Sequence, residues 1–547
     1  MSKNVNVRFF DALVIGSGIS GLEAARRLAE KEGRGIAVLG TGVGASPYVH
    51  GFNMPLHPDD SPALFLSDTL ESGRGQCDPG LAEELCGKAS ELIPELQRLG
   101  ITFDRAEDGS YSLLRPLGAS VPRVASSGNH TGVKIMNALH AELAGNPAVH
   151  FFNQMRALRL ISDGNRIRGC VAADLGSRIF TVFLADVTVL ACGGFCNIYP
   201  FSTNSPDIGG DGIAMAYYAG ASLTDMEFIQ FEPSAAVYPP ELRGKSVITT
   251  MYYEGAVLRN ALGERFMLKY SEKGECVNKD VQARCIFREI AEGRGTENGG
   301  VFFDATGVGR EKLNSLYPSY VKRYADVGID IAETPFEIAP APHTSLGGVV
   351  IAPDCSVKGL CGLYACGEVT GGLHGANRVG GNAGLEIQVF GKIAGESAAN
   401  YLDTHESTGF EPYGDTVDAI VNRGGATPDA GRVDAIRAEM QTLLSEKLNV
   451  LRNADGLTEA RDSLTALLRE VCTYTSLLPF EAAVKLLRLE NDLIAALALA
   501  NAALLRDKTC GCHVRTDCPD ADESGKKYRI LLSRAADGGM SVRRAPV

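Results

Sequence analysis

Tryptophan is absent from this 547-residue chain, which excludes nothing by itself. Other absences exclude more. No apolar run reaches the roughly 18–20 residues that a membrane-spanning helix needs. The longest candidate, Leu493 to Leu505, is short, Ala-rich and preceded by Asp492, so it reads as a buried core helix. A basic surplus is missing too: 53 Lys and Arg stand against 66 Asp and Glu, a net charge of −13. That argues against a nucleic-acid protein relying on an overall basic surface. A secretory pattern is missing, because Asp11 interrupts the first apolar stretch and a glycine turn follows. A cytoplasmic protein with no membrane span is expected. The 14 cysteines are scattered, which suits reduced thiols. Cys510, Cys512, His513 and Cys518 come nearest to a metal cluster, yet they lack the paired Cys-x-x-Cys spacing of zinc sites, and no iron–sulfur motif appears. No metal is expected.

What is present is ordinary globular composition, 45% hydrophobic and 22% charged, with length for about three structural units. Glycine is in excess at 62 residues. Ala12 to Ile15, Ile36 to Leu39, Val187 to Ala191 and Gly362 to Ala365 read as buried strands, and Gly21 to Lys31 as a helix. Strands so far apart in the chain predict one parallel sheet interrupted by an insertion. The texture changes between about 235 and 340, as expected of a separate cap. His405 to Thr416 reads as a linker, and Gly431 to Arg506 has the period of a helical bundle. A solvated strand and tail is expected after Asp520.

Gly16-Ser17-Gly18-Ile19-Ser20-Gly21 is a GxGxxG between a strand and a helix. Gly16 permits the tight turn, Gly18 the approach of a pyrophosphate, and Gly21 close helix–strand packing. The acidic residue that usually closes the second strand is replaced by Gly40, so ribose recognition must differ from the standard mode. From Gly362 to Gly395 a second glycine-dense segment combines a Gly-Glu turn, a His-Gly-Ala-Asn-Arg loop and a helix opening at Gly381-Asn382. A purely structural loop has no need of Glu, His, Asn and Arg together.

This segment closely resembles the succinate dehydrogenase/fumarate reductase flavoprotein and L-aspartate oxidase family. Thr203-Asn204, Gly209 to Ala221, Asp225 to Pro233, Gly263 to Met267, His343 to Gly348, Ile436 to Arg452 and Cys512 to Asp520 resemble further family motifs in the family's order. The resemblance implies an α/β fold: a Rossmann-like FAD-binding domain (1–234 and 341–405), an inserted α+β capping domain (235–340) and a C-terminal helical bundle with tail (406–547). It implies FAD, with Gly16, Gly18, Gly21, Ser46 and Gly193 as cofactor-binding residues together with Asp211, Glu368, Asn382 and Leu385. The family's tethering histidine aligns with Pro47, with His50 three positions on, so noncovalent FAD is expected.

The implied reaction is hydride transfer between flavin and a C–C bond beside a carboxylate, with a proton exchanged at the neighbouring carbon. His343 and Arg378 fall on the family's substrate-binding His and Arg. Three positions depart from it. Glu232 stands where a carboxylate-binding His belongs, Ile248-Thr249 where a Thr-Glu pair belongs, and Lys279 where the proton-donating Arg belongs. The expectation is therefore a small carboxylate other than plain fumarate or succinate, with Lys279 as proton donor and Glu232 as specificity residue. Electrons pass by a soluble carrier, an iron–sulfur subunit or oxygen. Two alternatives stay open: L-aspartate oxidase-like amine oxidation, with Glu232 meeting the substrate ammonium, and an electron-transfer subunit whose own pocket has decayed.

Overall fold

A computed structural model describes residues 5–128, 130–405, 413–518 and 527–547. Its central sheet runs Val149–Asn153, Ile36–Gly40, Val5–Ile15, Ile179–Leu190, Arg166–Asp174 and Met155–Asp163, with Leu363–Ala365 beside Ile179–Leu190. The strands expected from apolar runs pair in parallel. The sheet as a whole is mixed, however, because Met155–Asp163, Arg166–Asp174 and Ile179–Leu190 form an antiparallel meander. The N-terminal half of Ile179–Leu190 pairs with that meander, and Thr188 to Leu190 on the same strand accept Leu363–Ala365. Two sequence-distant strands thus reach one edge, and the Gly-Glu turn follows directly.

Helix Ile19–Leu28 packs against helix Asn382–Thr404. The second helix turns Gly391 and Gly395 toward the first: a Cβ at Gly391 would lie 2.7 Å from Ser20 O, and one at Gly395 2.5 Å from Ala24 O. Part of the glycine excess is therefore spent on backbone-to-backbone helix contact.

The cap has its own core. Strands Ile229–Tyr238, Phe336–Ser345, Val301–Asp304 and Val257–Arg259 form an antiparallel sheet. Helix Lys279–Glu289 and shorter helices enclose Met251, Phe266, Phe303, Tyr324 and Phe336 with it. This core begins at Ala236 and ends at Ile338. The two strands that bound it run unbroken from the cleft into the cap and carry Glu232 and His343.

Helices Arg432–Lys447, Ala454–Cys472 and Phe480–Leu505 form the C-terminal bundle, and Leu493 to Leu505 lies in the most buried of them. Two expectations are corrected here. Residues 406–412 of the expected linker lie outside the described residues, and its end is a helix, Gly414–Val421, whose Val417 and Val421 are buried beside Phe180. The end of the chain is not a solvated tail. Tyr528–Arg534 and Met540–Pro546 form a hairpin that extends a second sheet through Leu223–Thr224, with Ile530 and Leu532 fully buried. Among the described residues, no helix is long and apolar enough to cross a membrane.

Candidate active site

One long cleft runs from the first glycine turn to the underside of the cap. At its first end backbone geometry decides. Gly16 has φ +124°, and a Cβ there would sit 2.1 Å from Ala191 O. A Cβ at Gly21 would sit 2.0 Å from Gly16 O, so strand and helix touch through backbone. Gly18 faces Ser46, whose Oγ accepts the Ile19 N–H at 3.0 Å. The helix N-terminus thus opens onto a wall of glycines and small hydroxyl side chains, which suits a phosphate.

Gly40 faces Ser17, whose Oγ would lie 2.4 Å from a Cβ there. A carboxylate reaches this corner from elsewhere. Asp207 lines the cleft and accepts the Val43 N–H at 2.9 Å. Next to it Asp211 opens helix Asp211–Tyr218, with Arg156 at 2.5 Å and Asn491 Nδ2 at 2.7 Å. Asn491 comes from the C-terminal bundle, where Glu490-Asn491-Asp492 interrupts an apolar helix. Asp492 accepts the Gly210 N–H at 2.8 Å and pairs with Arg437. That polar triplet in an apolar helix was the sequence signal for this support.

Gly193 (φ +75°) and Glu368 lie further along the cleft. Glu368 accepts the Ser345 N–H at 3.0 Å, and burial pushes its carboxyl up to about 7. Asn382 and Leu385 lie differently from expectation. Asn382 accepts from Asn53 at 2.6 Å and donates to Thr69 Oγ1, and Leu385 is fully buried in the main core. The lining at that turn is Gly381, Ala383 and Gly384. Gly21 is likewise behind the wall, where its role is packing.

At the far end individual side chains decide. Arg378 is 8% exposed, lines the cleft and makes no ion pair among the described residues. Its Nη1 donates to Val379 O at 3.3 Å, and its Nε has no partner. A buried guanidinium left so is costly without an anion. His343 holds Thr203 Oγ1 through Nδ1 at 2.7 Å. Burial, with Lys279 and Arg378 nearby, keeps its pKa well below the usual value, so the ring is neutral. His50 opens onto the same cleft, and the surrounding protein, with Arg323 and Lys279, also lowers its pKa.

Lys279 is the first residue of helix Lys279–Glu289, where a cation gains nothing from the helix dipole. Its partner is Glu232, with Nζ to Oε2 at 2.6 Å. Two of the three departures noted in the sequence therefore pair with each other. Glu232 projects from strand Ile229–Tyr238 where its ladder slips between Glu232 and Ala235, around Pro233, which has no N–H to give. Its side chain is 3% exposed, lies off the cleft surface behind Lys279, and leaves Oε1 without a partner. Glu232 thus does not face the cleft, contrary to the expectation that it meets the substrate. Ile248 and Thr249 do line the cleft. Cys510 and Cys512 lie beside the Arg378 loop, while both ring nitrogens of His513 are taken, by Arg452 and by Arg506 O.

A cleft with a glycine-lined helix N-terminus at one end and, under a cap at the other, a buried guanidinium with no ion pair among the described residues is built for a dinucleotide cofactor. Comparison with known proteins fixes the family. Residues 11–383 match the model of the FAD binding domain, and residues 437–547 that of the fumarate reductase flavoprotein C-terminus. The chain belongs to the succinate dehydrogenase/fumarate reductase and L-aspartate oxidase family of flavoproteins, and is an FAD-dependent oxidoreductase of the fumarate reductase type. It is 35% identical to one subunit of the CoM/CoB fumarate reductase of Methanothermobacter marburgensis, over 96% of this chain and 97% of that one. It is 32% identical to the L-aspartate oxidase of Caulobacter vibrioides, over 97% and 98%. A variant of the E. coli quinol fumarate reductase FrdA superposes with a TM-score of 0.90 at 25% identity, over 99% of this chain and 97% of that one. The residues present fit FAD, since Gly16, Gly18, Gly42 and Gly44 line the cleft beside the helix N-terminus and leave room there for a pyrophosphate.

Proposed function

We propose that this protein reduces the C=C bond of a small unsaturated carboxylic acid. The observation that carries the reading is Arg378, a buried guanidinium with no ion pair among the described residues, facing the same cleft as Lys279 and His343. When bound and reduced by two electrons from a donor, the flavin would supply the hydride for one alkene carbon. Arg378 holds the substrate carboxylate as a planar fork and draws charge from the alkene. Lys279 Nζ gives a proton to the other carbon, so the product is the saturated acid and Lys279 is left neutral until solvent reprotonates it. Glu232 accepts from Nζ and holds the ammonium in place. Neutral His343, fixed by Thr203, offers hydrogen bonds without adding charge. The Gly16–Gly21 turn, Ser46, Asp211 and Glu368 hold the cofactor, which we take to be noncovalent because Pro47 offers no tethering nitrogen.

The Methanothermobacter relative is named as one subunit of its fumarate reductase, which supports electron delivery from a partner such as an iron–sulfur protein. The L-aspartate oxidase relatives keep an amine oxidation in view. With Glu232 committed to Lys279, that second chemistry loses the ammonium contact expected for it. Peroxide formation with L-aspartate would restore it.

The test is anaerobic. Chemically reduced protein is mixed with fumarate or monomethyl fumarate, and the return of oxidised-flavin absorbance is followed. Reoxidation by at least one acid is expected, slowed about 10²–10⁴-fold in Lys279→Met. Loss of the reading would follow from no reoxidation by either acid in flavin-loaded protein, or from an unaffected Lys279→Met rate.

A further inference from the structure

The charges that face the far end of the cleft favour a narrower class of substrate than the family relationship alone. A substrate with two carboxylates calls for two cations, or for donors in their place. Arg378 is one cation free of any ion pair among the described residues. Lys279 is the second on the cleft wall, and Glu232 at 2.6 Å cancels it; Arg323, near enough to act on His50, donates to Ser246 O and lies off the cleft surface. His343 and His50 are both held toward the neutral form. Arg115 also lines the cleft, with Nε on Ala119 O, but it is solvent-exposed and its pull is screened. The surroundings add negative charge: Glu386, paired with His374 at 2.9 Å, and Glu232 both lie near enough to Arg378 to act on it. Ile248, Thr249 and Thr250 contribute uncharged wall.

We propose that the Glu232–Lys279 pair makes this a site for monoanionic unsaturated acids, with the single carboxylate on Arg378 and an uncharged substituent on the Lys279 side. Glu232 acts as a positioning residue through Lys279 and sets specificity without touching the substrate. A dianion brings its second charge against a cation already neutralised by a buried carboxylate, in surroundings where like charges cost more than in water. A neutral ester, amide or alkyl group meets no such penalty. The inference rests on the reductase reading above.

The test separates the two. Fumarate and monomethyl fumarate share one electron-poor alkene and differ by one charge. Each is titrated into the oxidised FAD-loaded protein, which has no hydride to give, and binding is read from the flavin difference spectrum. The ester is expected to bind at least about tenfold tighter than fumarate. Equal or tighter binding of fumarate overturns the proposal, as does absence of binding by both. In Glu232→Gln, the Lys279 charge is no longer offset and the ratio should move about tenfold toward fumarate; an unmoved ratio removes Glu232 from the account. Should that variant not fold, Glu232→His serves the same purpose, and the wild-type ratio decides alone if neither folds. If the expected ratio is found but the reduced protein reduces neither acid, the reductase reading fails and the charge rule stands.

Discussion

The two ends of the cleft bind by different physics. At the cofactor end backbone contact holds the turn: Gly16 and Gly21 meet Ala191 and their own turn at distances no side chain allows, and the helix N-terminus supplies the field. At the far end charged side chains decide: Arg378 from its loop and Lys279 from its helix line the cleft, and strand Ile229–Tyr238 supplies Glu232 behind Lys279. Backbone geometry tolerates almost no substitution but specifies only a phosphate. Side-chain charges can be exchanged in pairs, and here Glu232 and Lys279 keep a balanced site while both leave the family pattern.

That contrast can be broken at either end. The largest effect is expected at the far end. Arg378→Ala should lower kcat/KM for the preferred acid about 10³-fold, about 4 kcal/mol, while flavin content holds; a normal kcat/KM would move the carboxylate anchor elsewhere. At the near end Gly21→Ala forces a methyl onto Gly16 O and should cost about 1–3 kcal/mol with loss of bound flavin, read from the visible to ultraviolet absorbance ratio and the melting temperature. Retained flavin at normal stability would show that the wall can yield. The smallest effect belongs to the boundary between the ends. Glu368 is held near 7 in the folded chain, above the ordinary carboxyl value of 4.5, so the folded state binds the extra proton between those values. Its contribution is full below about pH 4.5 and is lost as pH rises through about 7. Glu368→Gln should therefore flatten this part of the stability profile by about 1–3 kcal/mol, measured by denaturant melts at pH 5 and 7.5. Parallel profiles for the two proteins would place Glu368 outside the titration.

Much of the near end was legible because a strand, a glycine turn and a helix are contiguous. The side of a helix that faces a ligand was less so: Asn382 and Leu385 open the right helix, but its rotation turns them to Asn53, Thr69 and the core. The terminal hairpin had a local signal that went unused, since Ile530 and Leu532 alternate inward ahead of the Gly538-Gly539 turn. The Asp211 clamp had only the Glu490-Asn491-Asp492 triplet, which marks a polar contact without naming its partner, because Arg156 and Asn491 lie far apart in sequence and meet only when the bundle docks on the sheet.

The order of residues was enough for the glycine wall, the Arg378 and His343 positions and the family, because each lies in a short contiguous motif whose chemistry follows from spacing. The meaning of Glu232 and Lys279 emerged only on folding. Taken singly along the chain, each is a lost contact. Folded, a slipped strand and a helix N-terminus bring them to 2.6 Å, and two losses become one neutral pair. Coulomb energy depends on distance in space, which the order of residues along the chain does not contain.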